Sequence, residues 1–306
     1  MKKIKEYLTC FVTTLYVLNV HINPVLSQML EHPENTTFLY SCNHKDILSA
    51  RLKLTVKSLL ESAETQNCAQ ANQILHSREY IKVNIPGELS LISEFKNLKK
   101  LDLVLSLEGV PLAPLSSLTN LQELRISGWF EDISAVGSLQ NLTRLTLQGQ
   151  ITNITPLRDL ENLTYLDLTA NHIRDIKPIS HMKRLTYLGL GGNRIRDIQP
   201  IANFTELGFL SLPQNRIKDL RPLAEMKKLT KLYLSYNEIQ DLRPITPLIN
   251  LTELDLTQNQ IQDVKPLMTL KQLKTLDIRN NPVQNLEILD NLPNLKDIYT
   301  GKHITR

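Results

Sequence analysis

The chain has 306 residues, of which 42% are hydrophobic and 22% are charged. This composition excludes an intrinsically disordered chain and supplies enough apolar material for a large core. The net charge of +4 is spread along the sequence without a basic block, which argues against nucleic-acid binding.

The N-terminal residues 1–27 have the composition of a secretory signal peptide. Three lysines among the first five residues precede an uncharged stretch at residues 8–20, and a tolerable cleavage site at 25–27 precedes Gln28. The apolar stretch is too short to cross a bilayer comfortably. We therefore predict a secreted, periplasmic or extracellular protein. A buried N-terminal helix is the alternative.

Residues 28–78 are predicted to form a helical N-terminal cap. Apolar residues recur at helical spacing from Ile47 to Leu60, and a second short helix is expected from Cys68 to Leu75. In an exported chain, Cys42 and Cys68 would be joined by a disulfide. The alternative is two free thiols that pack as small hydrophobic side chains.

Residues 79–306 contain a repeat whose fullest form begins at Leu163, with the pattern Leu-x-x-Leu-x-Leu-x-x-Asn-x-Ile-x-Asp-Ile-x-Pro. From Leu163 to Leu295 it returns every 22 residues. A fixed period of this size predicts a solenoid, here of about ten turns with the last one truncated. A degenerate turn with a strand at residues 81–83 precedes them. The turns begin at Leu98, Leu121, Leu142, Leu163, Leu185, Leu207, Leu229, Leu251, Leu273 and Leu295.

Each position of the repeat has a predicted structural role. Alternating leucines point into the coil, as the period of a strand requires, and the Asp and Pro begin a tight turn. The Asn carries both donors and an acceptor for backbone groups that the turn would otherwise bury unpaired. Its side chains are predicted to stack as a ladder: Asn171, Asn193, Asn215, Asn237, Asn259 and Asn281.

The first turns lack this asparagine and carry Ser106, Trp129 and Gln150 in its place. Their lengths also deviate from 22 residues. Two interpretations remain open, a looser N-terminal half or positions freed for contact, and we favour the first.

The repeat resembles the leucine-rich repeats of the internalins and of the nuclear phosphatase-1 regulatory subunit. The segment NCAQANQIL, followed by a short strand and then repeats, resembles the cap of secreted bacterial, especially cyanobacterial, leucine-rich-repeat proteins. The resemblance implies an α/β leucine-rich-repeat solenoid. A curved parallel sheet would line its concave face, and short 3-10 turns its convex face.

No catalytic motif stands out. The sequence has no phosphate loop, zinc motif or nucleophile elbow, and its seven histidines are scattered. We predict no enzymatic activity, no cofactor and no metal. Gly189, Gly191 and Gly192 predict a flat, bare spot on the sheet.

The candidate binding site is the outward face of the sheet. The third, fifth and seventh residues of each turn, and sometimes the eighth, should point outward, which places Tyr165, Tyr187 and Phe209 on adjacent strands. Aromatic side chains beside mixed charge are typical of an interaction surface, although they could also stack only to stabilise the sheet. The predicted partner-binding residues are Tyr165, Asp167, Tyr187, Phe209, Lys231, Tyr233, Tyr236 and Asp255.

The function predicted from these features is an exported, non-enzymatic protein-binding module. The partner is a protein of unknown identity. The alternatives are an intracellular regulatory scaffold, like the phosphatase-1 subunit, and a carbohydrate-binding solenoid that uses the same aromatic residues on a glycan. We expect a monomer that binds no nucleic acid and has no membrane span once the signal is removed.

Overall fold

The computed structural model describes residues 37–301, so the predicted signal peptide lies outside the described residues. Within them, eleven strands form one parallel sheet in strictly sequential order. The predicted solenoid is therefore confirmed. The strands are Tyr80–Ile85 (β1), Lys100–Leu105 (β2), Glu123–Gly128 (β3), Arg144–Gln148 (β4), Tyr165–Asp167 (β5), Tyr187–Gly189 (β6), Phe209–Ser211 (β7), Lys231–Tyr233 (β8), Glu253–Asp255 (β9), Thr275–Asp277 (β10) and Asp297–Tyr299 (β11).

The strands form because apolar and polar residues alternate with the period of a β-strand. In β5, Leu166 is fully buried between the half-buried Tyr165 and Asp167. The pairing register aligns equivalent positions of successive turns, so Leu166 faces Leu188, which in turn faces Leu210. One continuous core of leucine and isoleucine runs the length of the sheet.

Short 3-10 helices return the chain to the next strand. In the regular turns the Asp side chain accepts a hydrogen bond from the amide two residues later, as Asp197 does from Gln199 (2.8 Å). The proline follows as the second residue of the 3-10 helix, where its fixed φ fits and no amide hydrogen is needed. These helices span Ser90–Glu94, Ala113–Ser117, Ser134–Ser138, Thr155–Leu157, Lys177–Ile179, Gln199–Ile201, Arg221–Leu223, Arg243–Ile245, Lys265–Thr269 and Leu286–Asn291.

The repeat asparagines from Asn171 to Asn259 are buried where the chain leaves the sheet, and Asn281 is half-buried. Asn215 is typical. Its Nδ2 donates to the carbonyl of Leu212 in its own turn (3.2 Å) and of Leu190 in the preceding turn (3.0 Å), and its Oδ1 accepts from the Ile195 amide (2.9 Å). Leu190 also accepts from Asn193 (3.0 Å), and each strand-end carbonyl from Leu168 to Leu256 accepts from two asparagines in this way. The same pattern holds from Asn171 to Asn281.

Three α-helices cover the N-terminal end of the sheet, Phe38–Asn43 (α1), Ala50–Ser62 (α2) and Cys68–Ser77 (α3). The side chains of Thr37, Ser49 and Asn67 cap their N-termini. Helix α2 packs against β1 and buries its apolar stripe, including Val56 and Leu59. The polar cap therefore shields the first strand, which an open solenoid would otherwise expose.

The predicted disulfide between Cys42 and Cys68 is confirmed. It joins α1 to the first residue of α3, with the two Cα atoms 5.7 Å apart. Helix α1 itself was not predicted. Its Phe38 packs edge-to-face on Phe95 of the first repeat (6.2 Å between centroids), and its amide donates to the Glu94 carboxylate (2.7 Å). Burial raises the pKa of Glu94.

Candidate functional site

Three aromatic rings from neighbouring strands stack on the exposed face of the sheet, and we call Tyr165, Tyr187 and Phe209 the aromatic ridge. The ring centroids of Tyr165 and Tyr187 lie 4.0 Å apart, and those of Tyr187 and Phe209 lie 4.3 Å apart. The planes are nearly parallel, at 13° and 8°. The strand register places all three at the same position of successive turns, so their spacing is that of adjacent strands.

Two further side chains extend the ridge. The Arg144 guanidinium on β4 lies over the Tyr165 ring, 4.1 Å from its centroid. Tyr233 on β8 meets Phe209 at 66°, with centroids 5.4 Å apart. Five side chains from β4 to β8 thus form one connected row.

The stacking determines what the ridge can offer to a ligand. Tyr187 has a ring neighbour on each face, and Tyr165 lies between Arg144 and Tyr187. Both tyrosines are half-buried, so their ring edges and hydroxyl groups are what remains accessible. Burial, with an added contribution from hydrogen bonding to Tyr165, raises the pKa of Tyr187 well above its usual range. Tyr187 therefore stays uncharged at physiological pH.

A charged cluster borders the ridge at β8 and β9. The Glu253 carboxylate accepts a hydrogen bond from the Tyr233 hydroxyl (2.6 Å) and pairs with the Lys231 ammonium group (2.6 Å). These two donors lower the pKa of Glu253. Burial and the bond to Glu253 raise the pKa of Tyr233 to about 12. The cluster fixes the Tyr233 ring against Phe209.

The other predicted binding residues lie around this row with separate contacts. Asp167 and Asp255 are half-buried at the fifth position of their turns, and each accepts a bond from the amide two residues later. Tyr236 lies three residues beyond β8 in the left-handed region (φ 56°) and is 51% exposed. It projects from the turn after the strand, outside the connected row.

The predicted bare spot at Gly189, Gly191 and Gly192 is wrong for the first two residues, which are buried. The Asp167 carboxylate oxygen lies 2.7 Å from where a Cβ on Gly189 would stand, and Pro213 fills the equivalent space at Gly191 (2.8 Å). Neighbouring side chains therefore occupy the space that a side chain at Gly189 or Gly191 would fill. Gly192 has a positive φ of 64°, as Tyr236 has at the same repeat position two turns later.

The first turns do not have a loose core. Ile126, Phe130 and Ile133 are almost fully buried. The three positions that lack the asparagine behave differently from one another. The Ser106 hydroxyl donates to the Asn84 side chain (2.6 Å), Gln150 is half-buried, and Trp129 is exposed. The missing ladder residues therefore coincide with an ordered but different surface.

Other kinds of site find no support in residues 37–301. No group of three or more histidine, cysteine, aspartate and glutamate side chains in this range is arranged to hold a metal ion. None of the helices described there has the length and apolar character needed to cross a bilayer.

The family comparison matches the repeat region of the chain. The model described as "Leucine Rich repeats (2 copies)" matches residues 140–181, 206–248, 227–267 and 249–294. The turns within these residues match leucine-rich repeats. No curated protein sequence matches the chain.

Solved structures share the leucine-rich-repeat solenoid. The chain is similar to an internalin, InlF, of Listeria monocytogenes, with 27% identity and a TM-score of 0.61 over 82% of this chain and 89% of that one. Internalin C2 of the same organism aligns with 22% identity and a TM-score of 0.52, over 80% and 91% of the two chains. A third similar structure is the ectodomain of the plant receptor kinase GASSHO1/SCHENGEN3 from Arabidopsis thaliana, in complex with CASPARIAN STRIP INTEGRITY FACTOR 2. It aligns with 24% identity and a TM-score of 0.59, over 74% of this chain and 29% of that one.

The sequence missed one member of the connected row. Arg144 occupies the same repeat position as Tyr165, one turn earlier, and was not among the predicted binding residues. The repeat alignment already placed Arg144 next to Tyr165, and this could have predicted the contact because arginine stacks readily on an aromatic ring.

Proposed function

We propose that this protein is an exported recognition module whose sheet face, from β4 to β9, docks a protein partner. The aromatic ridge is the observation that carries this proposal. Accessible tyrosine edges and hydroxyls, flanked by Arg144, Lys231 and Glu253, combine apolar contact area with polar groups that fix orientation. Such rows are typical of the energetic centre of a protein interface. The protein-bound receptor ectodomain of the same architecture supports a docking role.

The stacking geometry weighs against the carbohydrate alternative. A sugar ring packs on the open face of an aromatic side chain, but the faces of Tyr165 and Tyr187 are covered by their neighbours. A glycan would therefore have to separate the stacked rings, at the cost of their mutual contacts. A protein can instead contact the ring edges without disturbing the stack.

The disulfide supports export over the intracellular scaffold alternative. The Cys42–Cys68 bond fits an oxidising compartment, because cytosolic reductants keep most thiols reduced. The composition of residues 1–27, which resembles that of a secretory signal peptide, also favours export.

Truncating the ridge should abolish partner binding. In a pull-down from the native extracellular fraction, the triple variant Tyr165→Ala, Tyr187→Ala, Phe209→Ala should lose the partners that the wild type retains. Once a partner is in hand, Tyr187→Ala alone should weaken its affinity about thirtyfold, or ~2 kcal/mol, as for a central aromatic anchor.

The matched control is the double variant Tyr80→Ala, Tyr299→Ala, which removes exposed tyrosines at the two ends of the sheet. It should keep the partners. Equal recovery by a triple variant that circular dichroism shows to be folded would remove the proposal. Binding to a glycan array that is lost with the triple variant would favour the carbohydrate alternative instead.

Export is tested by sequencing the N-terminus of protein recovered from the native extracellular fraction, with thiol titration of the same sample. We expect a mature chain that begins near Gln28 and has no free thiol, because cleavage removes Cys10 and the other two cysteines are bonded. An intact N-terminus in the cytosolic fraction, with titratable Cys42 and Cys68, would instead support the intracellular scaffold.

A further inference from the structure

A cavity of about 410 Å³ opens beside the turns that lack the asparagine ladder. Its apolar lining comes from Val110, Leu112 and Phe130, which are almost fully buried, and from the indole of Trp129. We call this cavity the Trp129 pocket. Its volume is within the range of pockets that hold small ligands or a partner's side chain.

Two glycines, each followed by a residue that lines the pocket, allow close packing in these turns. Gly128 has φ 137°, and a Cβ there would lie 2.2 Å from the Leu105 carbonyl oxygen. At Gly149 a Cβ would approach the Phe130 ring to 3.0 Å, so that glycine lets Phe130 pack inward. Trp129 is 56% exposed, more than any other large hydrophobic side chain in residues 37–301. An exposed indole beside an apolar cavity is a costly arrangement that usually serves contact.

The polar lining of the Trp129 pocket is negatively charged. Glu108, Glu131 and Asp132 line it, and no lysine, arginine or histidine does. The hydroxyl and amide of Ser134 lower the pKa of Asp132, so this carboxylate is ionised at neutral pH. Within residues 37–301, neither Glu108 nor Glu131 is engaged in an ion pair. Glu108 and Glu131 are thus available to pair with a cation.

We propose that the Trp129 pocket receives an arginine side chain of the protein partner, an inference that rests on the proposed docking function and adds a second contact point to it. A guanidinium is planar, stacks on an aromatic face and donates several hydrogen bonds to carboxylates at its rim. The pocket supplies one aromatic wall, an apolar floor and three carboxylates. The chain already uses this contact internally, where Arg144 lies 4.1 Å above Tyr165.

Trp129 is the only tryptophan of the chain, so its fluorescence reports on the pocket alone. The probes are the tripeptide acetyl-Gly-Arg-Gly-amide and its citrulline counterpart, which has the same shape without the charge. The arginine peptide should change the Trp129 emission saturably. The citrulline peptide should bind at least about tenfold more weakly, because it loses the charge-assisted bonds. Equal affinity of the two peptides would overturn the proposal.

A charge-neutral pocket provides the second arm. The variant Glu108→Gln, Glu131→Gln should weaken the arginine peptide about tenfold in low salt. The matched control Glu161→Gln, Glu287→Gln makes the same change of charge at exposed residues of other turns and should leave the affinity unchanged. Unchanged affinity in the pocket variant, or equal weakening in the control, would refute a specific site.

This experiment is independent of the ridge test. The triple ridge variant leaves every residue of the Trp129 pocket in place, so it should still bind the arginine peptide. Loss of peptide binding in the pocket variant with full partner recovery would limit the pocket to a minor contact and contradict its role in docking. Failure of the ridge test with intact peptide binding would remove only the ridge proposal.

Discussion

Asn215→Ala should lower the free energy of unfolding by about 2 to 4 kcal/mol, although the residue contacts no ligand. Asn215 is 8% exposed, and its side chain bonds four backbone groups, the Ile195 amide and the carbonyls of Leu190, Leu212 and Pro213. Its removal leaves the buried Ile195 amide without an acceptor, which costs about 1 to 3 kcal/mol. The Leu190 and Leu212 carbonyls each lose one of two donors, because Asn193 and Asn237 remain. The Pro213 carbonyl also keeps the Gly192 amide as a donor, so the loss stays below the sum for four groups without partners.

Urea unfolding followed by circular dichroism measures this difference. The matched control is Asn203→Ala, an exposed asparagine in the preceding turn, which should change the unfolding free energy by less than about 0.5 kcal/mol. If both variants unfold like the wild type, the buried asparagines are not what holds successive turns together.

Removing the disulfide should have the next largest effect and lower the free energy of unfolding by roughly 3 kcal/mol. The bond joins cysteines 26 residues apart, and closing a loop of that size restricts the unfolded chain. We expect Cys42→Ala, Cys68→Ala to match the wild type in reductant, since both lack the same crosslink. Because α1 has only six residues, it should lose hydrogen-exchange protection first, while the amides of β5 to β8 keep theirs.

The reduced wild type and the double variant therefore serve as controls for each other. A double variant as stable as the oxidised wild type would show that packing of Phe38 on Phe95 holds the cap without the covalent link.

The regular part of the fold was predictable from sequence because one short pattern specifies it. Alternating leucines fix which side of each strand is buried, and a constant spacing fixes the register, so the stacking of Tyr165, Tyr187 and Phe209 on one face follows directly. The face-to-face ring geometry did not follow, because it depends on side-chain rotamers. Those rotamers in turn decide that ring edges, and not ring faces, are offered to a ligand.

The irregular parts were predictable only in outline. Helix α1 is too short to show a helical period, and its place is set by Phe38 and by the disulfide. Gly189 and the glycines after β6 led to the prediction of an open spot on the sheet. The repeat pattern does not show that the Asp167 side chain turns toward Gly189 and covers it. The Trp129 pocket depends on how the loop after β2 folds over its neighbour. Its only signals were the altered turn lengths and a lone tryptophan in place of an asparagine.

The shared carbonyls of the asparagine ladder have a consequence for how such a chain can lengthen or shorten. From Asn193 to Asn281, each asparagine reaches the carbonyl 25 residues before it and the one three residues before it. If one 22-residue turn in this stretch is duplicated or deleted, each asparagine still finds an equivalent carbonyl in the preceding turn. Gene duplication can therefore change the number of rings in the ridge, and with it the length of surface presented to a partner, without redesigning the joint between turns.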